Sequence, residues 1–288
     1  MFRCINVSIR LLLKFTIKCI SFLQAIYIMS FKHITSRDNP IFKYQKKLAD
    51  NSRDRKAEGK TLLEGVHLIE AYLHTFGEPE LIIIPEGKSS GEANNLMQQL
   101  EHISTIMLPT LMFAELTPVA SSTGILVVIK TPTINVPEHA QFVLMLEDIQ
   151  DPGNLGSMLR TAAAAGVQAV YLSKGCTDAW SPKALRCGQG AQFVLPIVEN
   201  ADLIVELENF NGNSYATTMN GESLYSQNLT QASAFLIGNE GAGLREKTIA
   251  SCTKRISIPM SQSSLAIESL NAAAAAAICL FERNRQCN

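Results

Sequence analysis

Short apolar runs alternate with longer segments of mixed polarity along the second half of the chain. The apolar runs predict strands over 142–147, 168–172, 192–197, 214–218, 233–238 and 255–258. The segments between them predict helices over 156–165, 181–188, 201–209, 244–251 and 266–283. This alternation is typical of a mainly parallel sheet with helices on both faces. We therefore expect an α/β domain over residues 141–286.

The first half shows a looser version of the same pattern over residues 33–130. Apolar spacing predicts helices over 41–48, 61–73 and 96–100, and strands over 81–84 and 125–129. These elements predict a smaller α/β domain. The polar stretch 131–140 contains two prolines and is typical of a linker between the two domains.

Residues 1–28 differ from the rest of the chain. Arg10, Lys14 and Lys18 recur every four residues among apolar groups, and no acidic residue precedes Asp38. Three interpretations are open: a transit peptide, a membrane-surface helix, or an over-extended reading frame whose translation starts at Met29. We favour the last, because the recognisable domain begins just after Met29. Lys14 and Lys18 interrupt the apolar run that a secretory signal would need, so such a signal is not expected. No stretch is long and apolar enough to predict a membrane span, and we expect no stable membrane association.

The cysteine and histidine positions exclude several kinds of chemistry. The 7 cysteines include no C-x-x-C pair, and no cysteine–histidine cluster has the spacing of a metal site. We expect reduced thiols, a cytoplasmic protein and no metal. All 5 histidines precede residue 141, so a histidine base in the second domain is not expected.

Charge is balanced overall but uneven along the chain. The net charge is −1, which does not by itself predict nucleic-acid binding. Basic residues nevertheless outnumber acidic ones between Lys32 and Lys60. Such a segment would suit phosphate groups, and it would equally suit a solvated helix of mixed charge.

The segment Leu146–Arg160 joins a predicted strand to a predicted helix through the turn sequence Asp-Pro-Gly-Asn. Such turns lie at the carboxyl edge of a parallel sheet, where α/β folds place functional residues. Asn154 is a candidate helix cap or ligand contact. Arg160 lies among apolar residues and therefore needs an anionic partner or a route to water.

Three glycines, Gly238, Gly241 and Gly243, follow Ile237 at the end of a predicted strand. Their G-x-x-G-x-G order is not the dinucleotide fingerprint, and the chain has no Walker sequence. The glycines indicate either a tight turn or close approach of the backbone to a ligand. Glu240 either fixes this loop or serves as a carboxylate at the start of the next helix.

A third segment, Ile256–Met260, ends a strand and is followed by Ser269, Leu270 and Asn271 before an alanine-rich helix. Ser269 and Asn271 are typical helix caps. Ile258 and Leu270 are equally consistent with ordinary core packing.

Taken in order, these three segments resemble the motifs of the SpoU (TrmH-type) RNA ribose methyltransferases of the SPOUT superfamily. The residues Ile34–Pro40 and Leu62–Leu68 more loosely resemble the RNA-binding domain that precedes many of its catalytic domains. The resemblance implies a trefoil knot and S-adenosyl-L-methionine as methyl donor, contacted by Gly238, Ile258 and Leu270. It implies a catalytic set of Arg160, Asn154, Glu240, Ser269 and Asn271. The stretch 260–269 departs from the family by its greater length and its missing glycine.

The resemblance also implies partners. We expect a homodimer that methylates a ribose 2′-hydroxyl in structured RNA, with 23S rRNA as the first candidate and tRNA as the second. The alternative is a non-catalytic RNA-binding or ribosome-assembly protein with the same fold. Candidate RNA contacts are Arg37, Lys46, Lys47, Lys183 and Arg186. Whether Arg160 acts as a base or as an electrostatic stabiliser is left open by the sequence.

Overall fold

The computed structural model describes residues 31–87, 89–117, 122–261 and 269–288. The predicted leader over 1–28 and the start at Met29 lie outside these residues. The described chain forms two sheets: a five-stranded sheet before the segment 131–140 in the sequence and a six-stranded sheet after it. We call residues 31–130 the N-terminal unit and residues 141–288 the C-terminal unit.

The N-terminal unit is built around a mixed sheet with strand order β1-β4-β3-β5-β2. Its strands are β1 (Lys32–His33), β2 (Lys60–Glu64), β3 (Leu81–Pro85), β4 (Thr105–Leu108) and β5 (Leu126–Lys130). Its helices are α1 (Pro40–Asp50), α2 (Ser52–Glu58), α3 (Val66–Phe76), α4 (Gly91–Gln99) and α5 (Thr110–Ala114). Strand β5 runs antiparallel to β2 and β3, whereas β1, β3 and β4 are parallel.

The helix predicted over 61–73 is partly wrong, because the segment begins as strand β2. Leu62 and Leu63 are both fully buried, but they pack into different hydrophobic clusters on opposite faces of the sheet. A strand covered on both faces loses the alternation by which strands are recognised. Gly65, with φ 95°, then turns the chain into α3.

The C-terminal unit is a parallel sheet with strand order β11-β9-β10-β6-β7-β8. Its strands are β6 (Phe142–Leu146), β7 (Ala169–Ser173), β8 (Ile197–Ala201), β9 (Asn213–Ser223), β10 (Ser233–Ile237) and β11 (Lys254–Ser257). Its helices are α6 (Pro152–Ala164), α7 (Pro182–Gly188), α8 (Leu203–Asn209), α9 (Glu246–Ala250) and α10 (Ala272–Cys287). The predicted α/β class with a mainly parallel sheet is confirmed.

Several boundaries differ from the prediction, among them that of β9, which runs to Ser223 rather than 218. The apolar run 192–197 is not a strand: Ala191–Phe193 form a 3₁₀ turn, and β8 begins only after Pro196, which has no N–H for the ladder. Helix α6 begins at Pro152 rather than 156, and α10 begins at Ala272 rather than 266. The predicted trefoil knot depends on the path of residues 262–268, which lie outside the described residues.

The strand order places a switch point at the centre of the second sheet. From β6 the chain moves outward through β7 and β8, and it then returns so that β10 lies on the other side of β6. Ligands of open α/β sheets bind at such points, beyond the carboxyl ends of the strands. The first two of the three segments singled out in the sequence follow β6 and β10, so both lie at this edge.

Within the described ranges, no helix has the length and apolar character needed to cross a bilayer. The described cysteines are free thiols, and the same residues contain no group of three potential His, Cys, Asp or Glu metal ligands.

Candidate active site

The turn after β6 is closed by Asp151, whose side chain accepts a hydrogen bond from the Asn154 backbone at 2.8 Å. Pro152 occupies the first helical position, where its missing N–H costs nothing. Asp151, not Asn154, is therefore the cap of α6. This leaves the Asn154 side chain available for contacts outside the helix.

The Asn154 amide joins three distant segments of the sequence. Its Nδ2 donates to Glu240 Oε1 at 3.0 Å, and its Oδ1 accepts from Asn271 Nδ2 at 3.1 Å. Helix α6, the glycine loop after β10 and the start of α10 thus meet at one side chain. Three of the five predicted catalytic residues lie together in this network.

Glu240 binds across to the turn after β6. Besides Asn154, it accepts hydrogen bonds from the backbone of Gln150 and Asp151, at 3.2 and 3.3 Å. Partial burial acts to raise the pKa of this carboxyl, but the hydrogen bonds together outweigh it and hold the pKa below its ordinary value. Since α9 begins only at Glu246, Glu240 does not cap a helix.

The glycine loop folds back on itself, and Gly238 is the residue that allows it. A Cβ on Gly238 would lie 2.2 Å from the Gly243 carbonyl carbon and 2.3 Å from the Leu244 nitrogen. Asn239 and Gly243 exchange two backbone hydrogen bonds, at 3.1 and 2.9 Å. The tight-turn interpretation therefore holds, and the turn forms one wall of a cavity.

This cavity has a volume of about 530 Å³ and lies between the glycine loop, strand β9 and the residues that precede α10. Its wall includes the predicted site residues Gly238, Glu240, Ile258, Ser269 and Leu270. Further wall residues are Thr217, Thr218, Ile237, Leu244 and Met260. A concave site of this size with mixed apolar and polar walls is typical of a small-molecule pocket.

Asn271 caps α10 and also contacts the network around Asn154. As cap of α10, its Oδ1 accepts from the backbone of Ala273 and Ala274 at 2.9 and 3.2 Å. Its Nδ2 is then left to donate to Asn154. Capping therefore fixes the orientation of the amide that reaches the network.

Arg160 lies on α6 six residues after Asn154 and is exposed to solvent. Within the described residues its side chain has no hydrogen bond or ion pair, and it is not part of the cavity wall. Of the two alternatives left by the sequence, an anionic partner or a route to water, the structure shows the route to water. The Asn154 amide is engaged by Glu240 and Asn271 rather than by Arg160.

Sequence reasoning missed Glu147, which is fully buried at the end of β6. Its carboxylate accepts from the Arg245 backbone at 2.7 Å, from Arg245 Nε at 2.8 Å and from the Thr248 hydroxyl. It thereby anchors the segment after the glycine loop to the central strand. The available signal was a charged residue directly following a run of five buried apolar residues.

Three of the five predicted RNA contacts already pair with carboxylates of this protein. Arg37 pairs with Glu115, Lys46 with Asp50, and Lys183 with Asp151, at 2.6 to 2.9 Å. In contrast, Lys47 is exposed without a partner for its side chain in the described structure. Arg186 is half-buried, and its guanidinium lies beside Gly65 of the N-terminal unit.

These features define a class of α/β protein that holds a small ligand between loops at the carboxyl edge of a parallel sheet. Residues 141–281 match the family model of the SpoU rRNA methylases. An uncharacterised tRNA/rRNA methyltransferase of Synechocystis is 32% identical over 262 residues, which cover 88% of this chain and 93% of that protein. The chain therefore belongs to the SpoU rRNA methylase family, as its motifs indicated.

Two further relatives have more specific names. The 23S rRNA (guanosine(2553)-2′-O)-methyltransferase of Bacillus subtilis is 32% identical, over 87% of this chain and 98% of that protein. The SpoU methyltransferase AviRb from Streptomyces viridochromogenes, solved in complex with AdoMet, superposes with a TM-score of 0.72 at 26% identity. That match covers 86% of this chain and 98% of AviRb.

Proposed function

We propose that this protein transfers a methyl group from S-adenosyl-L-methionine to a ribose 2′-hydroxyl of structured RNA, with 23S rRNA as the first candidate. The observation that carries the proposal is the junction of all three motif segments at Asn154, Glu240 and Asn271 beside a cavity of about 530 Å³. The names of the relatives support the reaction and the substrate class.

The cavity fits the methyl donor in size and in chemistry. The close approach of Gly238 to Gly243 keeps the glycine loop folded as a cavity wall, and Ile258 and Leu270 offer apolar surface to an adenine or a methionine chain. When bound, the donor supplies a methyl group already activated by its sulfonium. The chain's residues then have to orient the ribose and manage the proton of its hydroxyl.

Arg160 is the candidate for the charge that develops on the ribose oxygen. A guanidinium remains protonated at neutral pH, so stabilising an alkoxide or holding a neighbouring phosphate is easier for it than accepting a proton. Its exposure and lack of a described partner leave it free to meet RNA. Glu240 and Ser269 line the cavity. Asn154 and Asn271 complete the proposed catalytic set, and they connect Glu240 to helix α6, which carries Arg160.

The two units correspond to two proposed domains, an RNA-binding domain over 33–130 and a catalytic domain over 141–286, joined by 131–140. Lys47 and Arg186 have no carboxylate partner in the described structure and can contact phosphates directly. The other three cations must first break an ion pair with a carboxylate of this protein before they can bind RNA; they are Arg37, Lys46 and Lys183. Transfer RNA is the second candidate substrate.

We further propose a cytoplasmic homodimer. Several large apolar side chains of the C-terminal unit are exposed, and burial against a second copy would remove them from water. They are Met219, Tyr225, Met260, Leu270 and Phe281.

The test is incubation with labelled S-adenosyl-L-methionine and separate pools of rRNA and tRNA, followed by mass-spectrometric mapping of ribose methylation. Calorimetry should show that the donor binds in the absence of RNA. Binding of RNA without binding of the donor would instead support a non-catalytic RNA-binding protein. Methylation confined to tRNA would overturn the choice of rRNA.

A further inference from the structure

Arg55 was part of the basic segment that the sequence offers to phosphates, but it does not face solvent. Its guanidinium pairs with Asp178 of the C-terminal unit through Nε and Nη2, each 2.7 Å from Oδ2. The two side chains are only 5% and 4% exposed. A cation of the N-terminal unit is therefore buried against an anion of the other unit.

Both partners are also held within their own units. Arg55 Nη1 donates to the carbonyls of Leu48 and Ala49, at 2.8 and 3.0 Å, at the end of α1. Asp178 Oδ1 accepts from the Trp180 backbone at 2.9 Å. Neither side chain can rotate without leaving a buried charge or a buried donor unsatisfied, which is costly.

The covalent connection does little to fix the two units relative to each other. The linker residues 132–140 are exposed or half-buried, and Val136 and Ala140 pack against the core of the C-terminal unit alone. Apolar contact does hold the units together, for example between Tyr72 and Phe193, whose ring centroids are 5.8 Å apart. Buried residues of both units belong to one hydrophobic cluster, which runs from Leu63 to Leu280. Apolar attraction is itself non-directional, so the hydrogen-bonded contacts add the directional preference.

The polar contacts across the boundary are concentrated around the ion pair. The Thr61 hydroxyl donates to the Trp180 carbonyl at 2.6 Å, and Lys56 lies 3.4 Å from Glu199. Two cavities, of about 530 and 330 Å³, flank Arg55 and Asp178, and each is lined by both residues. Few directional polar contacts therefore cross the boundary, in addition to the shared apolar packing.

We propose that Arg55 and Asp178 are a positioning pair that fixes the angle between the RNA-binding and catalytic units. RNA gripped by the N-terminal unit then reaches the methyl-donor cavity in one register. A buried ion pair contributes little net stability compared with apolar residues of similar size, and its best-attested use is to specify one arrangement. The consequence for RNA rests on the proposed function, whereas the fixed angle does not.

The decisive variant is the double substitution Arg55→Met with Asp178→Leu. It removes the directional contact without leaving an unpaired buried charge, so the protein should remain folded even where Arg55→Met alone does not. Spin labels introduced as unnatural amino acids at the exposed residues Leu111 and Val205 report the distance between the units. Dilution with unlabelled protein restricts the signal to pairs within one chain.

We expect a narrow distance distribution in the parent protein and a broad one in the double variant. The matched control is Arg285→Met with Glu282→Leu, which removes an arginine–carboxylate pair within the C-terminal unit and should leave the distribution narrow. A narrow distribution in the Arg55/Asp178 variant would overturn the proposal. This measurement needs no RNA, so its outcome is independent of whether the proposed methylation is correct.

Kinetics test the consequence for the substrate. Loss of alignment should lower kcat/KM for the target RNA by about tenfold or more, while the Kd of S-adenosyl-L-methionine stays unchanged. A purely structural pair would change donor affinity and thermal stability together with activity. A broadened distribution with unchanged kcat/KM would overturn the positioning role.

Discussion

The candidate active site and the boundary between the two units are both assembled from polar side chains of distant segments, but they differ in burial. Glu240 and Asn271 are exposed and Asn154 is half-buried, although all three are hydrogen-bonded. At the boundary Arg55 and Asp178 are almost completely buried. The first network is therefore in contact with water, whereas the second is almost completely removed from it.

This difference separates two kinds of consequence. An exposed hydrogen bond exchanges with water, so its loss costs little stability and appears in activity if the site is catalytic. A buried charge that loses its partner cannot bind water instead, so removal of the partner lowers the free energy of unfolding. Substitutions in the two regions should therefore fall into different experimental classes.

The largest effect on activity is expected from Arg160→Ala. Loss of a group that stabilises developing negative charge should lower kcat by on the order of a hundredfold or more. Because Arg160 is exposed and unpaired in the described structure, the free energy of unfolding should change by less than about 0.5 kcal/mol. Single-turnover methylation and chemical denaturation measure the two quantities.

Arg160→Lys is the matched control, because it keeps the charge but loses the planar fork that binds phosphate. It should recover only part of the activity. Full activity in Arg160→Ala would remove this residue from the mechanism. A large loss of stability in Arg160→Ala would contradict the exposed, unpaired position of this side chain.

The second effect concerns the cavity wall. Gly238→Ala should displace the glycine loop, because its new Cβ would lie 2.2 Å from the Gly243 backbone. We expect a stability loss of about 1–3 kcal/mol from overpacking, together with at least tenfold weaker donor binding by calorimetry.

Gly241→Ala is the control within the same loop. Its Cβ would meet nothing closer than the Asn239 Oδ1 at 3.7 Å, and its φ is not in the left-handed region. It should bind the donor as the parent protein does. Equal losses in both variants would indicate that the loop responds to any added side chain, and that the close approach at Gly238 is not the cause.

The sequence predicted the site better than it predicted the boundary, for a physical reason. Turns and glycines after strands carry local signatures, and the carboxyl ends of neighbouring parallel strands necessarily meet. The strand ends explain the proximity of Asn154 and Glu240, because β6 and β10 are neighbours. Asn271 follows the edge strand β11, so only the family resemblance indicated its place. Glu147 and the Arg55–Asp178 pair could not be anticipated, since their partners are far away in sequence and only the assembled fold brings them together.

Local ambiguity explains the errors in secondary structure. Leu62 and Leu63 are compatible with a helix or with a strand covered on both faces, and only the pairing of β2 with β5 decides between them. The turn over 191–193 has the apolar composition of a strand, and its proximity to Pro196 was the overlooked signal.

A third, smaller effect separates capping from function at Asn271. Asn271→Ala loses both the cap and the contact with Asn154, so stability should fall by about 1 kcal/mol and activity should fall as well. Asn271→Asp keeps an acceptor for the backbone of α10 but loses the amide donor. It should retain the stability of the parent protein and still lose activity. Equal activity in the aspartate variant and the parent would reduce Asn271 to a helix cap.

The smallest effect is a pH dependence that originates at Glu240. Hydrogen bonds hold its pKa below the ordinary value of 4.5 in the folded protein, so the folded state favours the carboxylate. The resulting stability is fully present above pH 4.5 and is lost as the pH falls through the lower, folded pKa. Because Glu240 is largely exposed, the contribution should be below about 1 kcal/mol.

Denaturation of the parent protein and of Glu240→Gln between pH 7 and pH 3 measures this dependence. The difference in unfolding free energy between them should shrink only below about pH 4.5. Protonation then removes the stabilising carboxylate charge from the parent protein, whereas Glu240→Gln lacks this charge at every pH. A difference that stays constant down to pH 3 would mean that the carboxylate is not held by this network. Glu240 would then behave as an ordinary surface residue, and its hydrogen bonds to Asn154 and to the turn after β6 would not form in solution.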